Sequence, residues 1–186
     1  MRIVIALTAF AALAGCASPP VNRQSAEPLA VVPAVDLDRY QGRWYEIARL
    51  ENGFEKNCEG VTADYARRDD GLIRVVNTCR VGAPDGKPRV AYGKARVVDP
   101  ATNARLEVSF FGPFWGDYWI LDLTEDYSRS IVGEPSGRYL WILARTPVIS
   151  EDSRADALTR LEVMGYDTSK LYFTKQPPVP DTPPAE

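Results

Sequence analysis

The side chains able to do chemistry are few, and one absence decides a good deal. The chain of 186 residues contains no histidine. That removes histidine-based catalytic triads, histidine-ligated haem and the common zinc sites, and no metal or other cofactor is expected. Three cysteines remain: Cys16, Cys58 and Cys79. A thiol can be acylated, can pair in a disulfide, or can act as a nucleophile, so context must assign each one. Among the carboxylates, Glu46 lies two residues beyond Trp44 and shares its phase in an extended segment. Asp122 shares the inward phase of its own segment. A carboxylate buried in a sheet interior is costly unless paired. It would bond an arginine or tyrosine there, or face a bound head group.

Cys16 is placed by what precedes it. A short apolar run from Ile3 to Leu13 follows Arg2 and closes on Leu13-Ala14-Gly15-Cys16. A charged start, an apolar stretch and a small-residue site make a secretory signal peptide over residues 1–15. The Leu-Ala-Gly-Cys string also resembles the lipobox of bacterial lipoproteins. The resemblance implies a diacylglycerol on the Cys16 thiol, cleavage before it, and a fatty acyl group such as palmitate on the new amino terminus. The apolar run is too short to span a bilayer, which takes about 20 residues, so the protein would be anchored to a membrane rather than threaded through it. Ser18 is not the aspartate that marks inner-membrane retention in such lipoproteins, which implies the outer membrane, periplasmic face.

Removing residues 1–15 takes away one basic residue, Arg2, so the formal charge of −3 becomes −4. That balance, without a basic cluster, argues against nucleic acid as a partner. Cys58 and Cys79 then form an even pair in an oxidising compartment, and a disulfide is expected, worth about 3 kcal/mol. The alternatives are two buried thiols or a catalytic one.

Proline draws the rest of the map. Pro19, Pro20, Pro28 and Pro33 make residues 16–35 read as a solvated tether lifting a domain off the membrane, and a second proline-rich stretch forms a tail over 176–186. The folded domain is expected over 36–175. Within it, Pro84, Pro88, Pro100, Pro113, Pro135 and Pro147 fall between segments that read as strands. These are 44–50, 61–67, 72–81, 89–98, 105–111, 118–124, 129–133 and 139–145. Eight consecutive antiparallel strands imply an all-β, up-and-down barrel. One helix follows, with Ser150 as N-cap, Gly165 as stop and an apolar face of Ala155, Leu158, Leu161 and Met164. It should pack outside the barrel, before a short ninth strand at 171–174.

Gly42-Arg43-Trp44-Tyr45-Glu46 resembles the Gly-x-Trp opening of the lipocalin family. Asp126-Tyr127 and Arg145-Thr146-Pro147 fall where that family has its other two motifs. The strings from Val108 to Phe114 and from Tyr139 to Pro147 resemble the bacterial outer-membrane lipoprotein members, relatives of apolipoprotein D. The resemblance covers about residues 37–176. It implies structural roles for Gly42, Trp44 and Arg145 at the closed end, with Arg145 stacked on the Trp44 indole, a contact worth about 0.5–2 kcal/mol.

The same resemblance, carried over along each strand, implies which residues face inward and contact ligand. On the second to fourth strands these are Ala63 and Tyr65, Ile73 and Val75, and Ala95. On the later strands they are Val108 and Phe110, Tyr118 and Ile120, then Tyr139 and Trp141. Val61, Ala91, Gly93, Leu106, Ile131 and Leu143 share the inward phase. Strand three supports it independently, because Arg74 and Arg80 point the other way. Small residues at 63, 91, 93 and 95 leave room, and the aromatic residues bring polar tips on apolar bodies. Phe54, Phe114 and Trp115 lie on loops at the open mouth, where exposed aromatics suit a gate, a membrane contact or a dimer patch. Cys58 is out of phase with Val61, so a bulge near Gly60 is required.

These expectations converge on a carrier for a fatty acid or lysophospholipid at the cell envelope, for storage or transport, and not an enzyme. A homodimer stays open. The alternatives are a lipocalin-fold enzyme using a free cysteine and a structural envelope lipoprotein with a filled barrel.

Overall fold

A computed structural model describes residues 21–25 and 27–178. The expected signal peptide over 1–15, the expected lipidation site Cys16, the start of the expected tether and residues 179–186 of the tail lie outside the described residues. A short helix α1 (Leu37–Tyr40) leads into β1 (Gly42–Leu50), β2 (Cys58–Arg67), β3 (Ile73–Val81) and β4 (Pro88–Val97). The barrel continues through β5 (Arg105–Ser109), β6 (Gly116–Leu123), β7 (Arg129–Gly133) and β8 (Leu140–Ala144). Helix α2 (Glu151–Val163) and β9 (Leu171–Phe173) complete it. Sequential strands pair antiparallel from β2 to β8, and β1 closes the barrel by pairing with both β8 and β2. No helix among the described residues is long and apolar enough to cross a membrane.

The closure between β1 and β2 is partial. β1 pairs with β2 only over Gly42–Tyr45, and farther along β9 takes that side, pairing with Ala48–Leu50. The chain after β9 stitches the gap: the Gly60 amide donates to the Lys175 carbonyl, and Gln176 donates to the Glu46 and Val61 carbonyls. The folded unit therefore includes Gln176.

Three bulges reset the strand phase, and each has a consequence for the interior. On β2 the register shifts between Glu59 and Thr62, with Gly60 at φ +54°, and this seats Cys58 against Cys79 in a disulfide, Cα–Cα 5.2 Å. On β1 the shift between Glu46 and Ala48 turns Ala48 and Leu50 outward under α2 and brings Arg49 opposite inward Trp141. On β6 the shift between Ile120 and Asp122 puts Leu121 and Asp122 together on the outer face.

That last bulge corrects two expectations. Asp122 does not face the barrel interior. It binds Arg129 at 3.1 Å and Arg160 of α2 at 2.9 Å, and Asp156 completes the network at 2.5 Å from Arg129. Ile131, opposite Asp122, likewise packs outward beneath α2, and Val132 takes the inward position.

Helix α2 is capped by the Ser150 side chain, which accepts from the Ser153 amide, and ends before Gly165 at φ +86°. Its buried residues are Ala157 and Leu161, with Leu158 and Met164 partly covered. Ala155 is exposed, since two residues from Ala157 is about 200° around the helix.

The segment 21–35 is not a free tether. Its backbone bonds the barrel at three levels: Val21 N–H to the Ser136 carbonyl, Val32 N–H to Ile120, and Val35 N–H to Thr102. Leu29 and Val35 are buried, and Arg23 lies over the Tyr166 ring. The apolar residues Leu29, Val31, Val32 and Val35 outweigh the prolines between them, because each gains by covering the barrel wall.

Candidate functional site

The closed end is built around Trp44, which is fully buried. Its indole donates to the Tyr40 carbonyl at 2.8 Å, and the Arg145 guanidinium stacks over it at 3.8 Å. Arg145 also donates to the carbonyls of Arg39, Arg43 and Tyr127, tying α1, the start of β1 and the β6–β7 loop across the barrel floor. Gly42 sits at φ +87°, where a side chain would be strained, with Arg145 directly over it.

Above that plug lies a chain of hydroxyls. Tyr65 Oη contacts Tyr118 Oη at 3.0 Å, Tyr118 Oη contacts Tyr40 Oη at 3.1 Å, and Tyr40 Oη contacts Ser130 Oγ at 3.1 Å. Burial pushes all three phenols above the ordinary tyrosine range, so they stay neutral. Each polar tip is answered by another, which makes a floor that is polar but uncharged.

The wall above the floor is apolar. Ala63, Val75, Ala95, Leu106, Ile120, Val132 and Leu143 are buried in it. Ile73, Val108, Tyr139 and Trp141 are only half-buried although they point inward, as are Tyr65 and Tyr118 at the floor. These inward side chains keep some water-accessible surface, unlike the fully covered residues beside them. Phe110 reaches across the wall at Gly93, where a Cβ would lie 2.8 Å from its ring. Ala91, nearer the mouth, is exposed.

Four long loops rim the open end. Loop 51–57 folds Phe54 over the entrance, its ring 5.5 Å from Tyr139 and 6.4 Å from Trp141. Phe114 is exposed on the β5–β6 loop. Trp115 is not at the entrance: it lies on the outer wall, stacked against Arg96 at 4.3 Å and Lys94 at 5.5 Å. The outward phase of Lys94 and Arg96 carries it there.

Glu46, singled out by its phase in the sequence, gathers with polar groups that were not singled out on the wall toward the mouth. Glu46 is buried and pairs with Arg49 at 2.6 Å, while the Thr174 hydroxyl also donates to it. Arg49 reaches the Glu55 and Cys58 carbonyls, and the Glu55 carboxylate accepts from the Trp141 indole at 3.1 Å. Burial and the nearby Glu55 carboxylate push the Glu46 carboxyl up to about 8, against the opposing pull of Arg49. Glu46 thus belongs to a wall network and does not contact the tyrosine floor. Arg89 follows the phase of Ala91 and Gly93 to the rim, where it donates to the Phe54 carbonyl and to Cys58 Sγ. Asn77, opposite Ala91 and Ala63, keeps a buried side-chain oxygen with no hydrogen-bond partner among the described residues. Arg89 and Asn77 were legible from strand phase; the Arg49–Glu55 part was hidden by the β1 bulge. A separate recess of about 620 Å³ opens between loop 51–57, Gly82 and Tyr172.

With the cysteines joined, neither Cys58 nor Cys79 offers a thiolate. The described residues hold no cluster of ligands suited to a metal ion.

Comparison with known proteins gives this geometry a context. A family model described as a lipocalin-like domain matches residues 35–176. The chain is 41% identical to the outer membrane lipoprotein Blc of Escherichia coli strain K12 over 178 residues, 95% of this chain and 97% of that protein. It is 38% identical to temperature-induced lipocalin-1 of Arabidopsis thaliana, over 84% of this chain and 86% of the relative. Among solved structures it resembles insecticyanin from the tobacco hornworm Manduca sexta, with a TM-score of 0.64 at 21% identity, covering 85% of this chain and 87% of that one.

Proposed function

The chain belongs to the lipocalin family, and from that premise we propose that it is a carrier for a single fatty acid or lysophospholipid. It is anchored through a lipid on Cys16 at the periplasmic face of the outer membrane, and it stores or transports its guest at the envelope. The observation that carries this reading is a mismatch inside the barrel: Tyr65, Ile73, Val108, Tyr118, Tyr139 and Trp141 point inward yet are not fully buried. An apolar wall over a neutral hydroxyl floor suits an acyl chain, whose burial is worth about 0.8 kcal/mol per methylene. The head group would sit toward the mouth, where Arg89 offers a cation and Asn77 a buried acceptor unpartnered among the described residues. The free hydroxyl of a lysophospholipid can donate to Asn77, whereas a carboxylate cannot.

Native mass spectrometry of protein released from membranes tests the reading. A non-covalent lipid of one copy per chain, expelled on collisional activation, is expected. A barrel that emerges empty and takes up no added lysophospholipid would contradict it and favour a purely structural envelope protein.

A further inference from the structure

We propose that the barrel mouth faces and touches the bilayer, so that lipid passes between membrane and barrel without crossing water. This rests on the anchor at Cys16 proposed above. The described chain enters the fold at the mouth. Val21 donates its backbone N–H to Ser136 at 2.9 Å, and Asn22 donates its side-chain amide to the Gly137 carbonyl at 3.1 Å. Ser136 and Gly137 lie on the β7–β8 loop, which is a mouth loop. From there the segment runs down the outside to Asp36, whose N–H meets the Tyr127 hydroxyl at the closed end. The entry point is thus at the mouth, and the long proline-bearing stretch is used up along the barrel wall.

Only five residue steps separate Val21 from Cys16. Fully extended, they reach about 18 Å. β1 has nine residues; at about 3.3 Å per residue and a tilt near 40° such strands give a wall about 23 Å high. A leash of that reach cannot let the closed end face the bilayer, because it would first have to travel the height of the wall.

The mouth itself is suited to the surface. Phe54, Phe111 and Phe114 are 58%, 80% and 76% exposed, on two of its loops, and Val21 beside a third is 59% exposed. Singly exposed apolar residues need no explanation, but three phenylalanines at one end of a barrel do. The half of β4 over 88–93 adds to the same opening. β5 pairs with β4 only from Lys94 onward, so the wall is lower on that side and Tyr92 stands 73% exposed beside it.

The test uses the full lipidated chain on phosphatidylethanolamine–phosphatidylglycerol vesicles whose acyl chains carry bromine, a contact quencher. An environment-sensitive fluorophore is attached to a cysteine introduced by Phe114→Cys, and, in a second protein, by Asp69→Cys on the exposed β2–β3 loop at the closed end. Loss of fluorescence at position 114 with none at position 69 is the expected result. Equal quenching, or an unquenched label at position 114 on protein that is retained by the vesicles, overturns the orientation while leaving the anchor intact. A thiol at Cys16 that takes the label, on protein that does not sediment with vesicles, overturns the anchor and this inference together. Where the label itself perturbs the rim, the same vesicles quenching intrinsic fluorescence in the unlabelled protein less when Phe111→Ser and Phe114→Ser are combined gives a second reading; unchanged quenching counts against the proposal.

Discussion

Replacing Ala91 by tryptophan should weaken lipid binding by about a hundredfold while the protein stays folded. Ala91 lies on the inward face of β4, opposite Asn77, and is exposed, so an indole there meets open space. Ala95 is a poorer choice. It is 5% exposed between Ile73 and Val108, and enlarging it would overpack the wall at a cost of about 1–3 kcal/mol. An indole that displaces four methylenes of a guest forfeits about 3 kcal/mol at roughly 0.8 kcal/mol each, which is about two orders of magnitude in dissociation constant. The assay is equilibrium titration with lysophospholipid, read by Trp141 fluorescence, beside a denaturant unfolding curve. A variant with the parental unfolding midpoint and parental affinity would refute the placement of the guest.

Three other outcomes follow from the geometry. Asn77→Ala should lower affinity for lysophospholipid by about fivefold, one hydrogen bond's worth, and leave fatty-acid affinity unchanged; paired titrations check this, and equal losses would contradict it. Arg145→Ala removes the stack on Trp44 and three carbonyl contacts, and should cost about 2–3 kcal/mol in unfolding free energy without altering affinity in the folded variant. Glu46 makes stability pH-dependent. Its carboxyl is raised from 4.5 to about 8 in the folded state, so the folded protein holds a proton that the unfolded chain releases. That contribution is fully present below about pH 4.5 and is lost as pH rises toward 8. Glu46→Gln should flatten the decline, and denaturation midpoints across that window measure it.

The alternation of strands and the spacing of prolines made the barrel legible, because an interior of this shape imposes a two-residue period on every wall segment. The disulfide was legible too, along with the bulge near Gly60 that it required. What alternation could not carry was phase across the other bulges. One extra residue at Ile47 turned Ala48 outward and Arg49 inward, and another at Leu121 sent Asp122 to the helix side. Ile131 followed Asp122, since residues directly opposite in a sheet share a face. The 21–35 segment misled for a different reason. Its prolines set its backbone, but four apolar residues among them found the barrel wall, and composition alone weighs the first more than the second.

A crystal structure of the protein soaked with a lysophospholipid bears most directly on whether the barrel shelters an acyl chain. Continuous density rising from the Tyr65–Tyr118 hydroxyls past Val108 and Trp141, with the head group near Asn77 and Arg89, is the expected result. An interior in which Phe110, Tyr139 and Trp141 close over the axis and leave no room for a guest would contradict it.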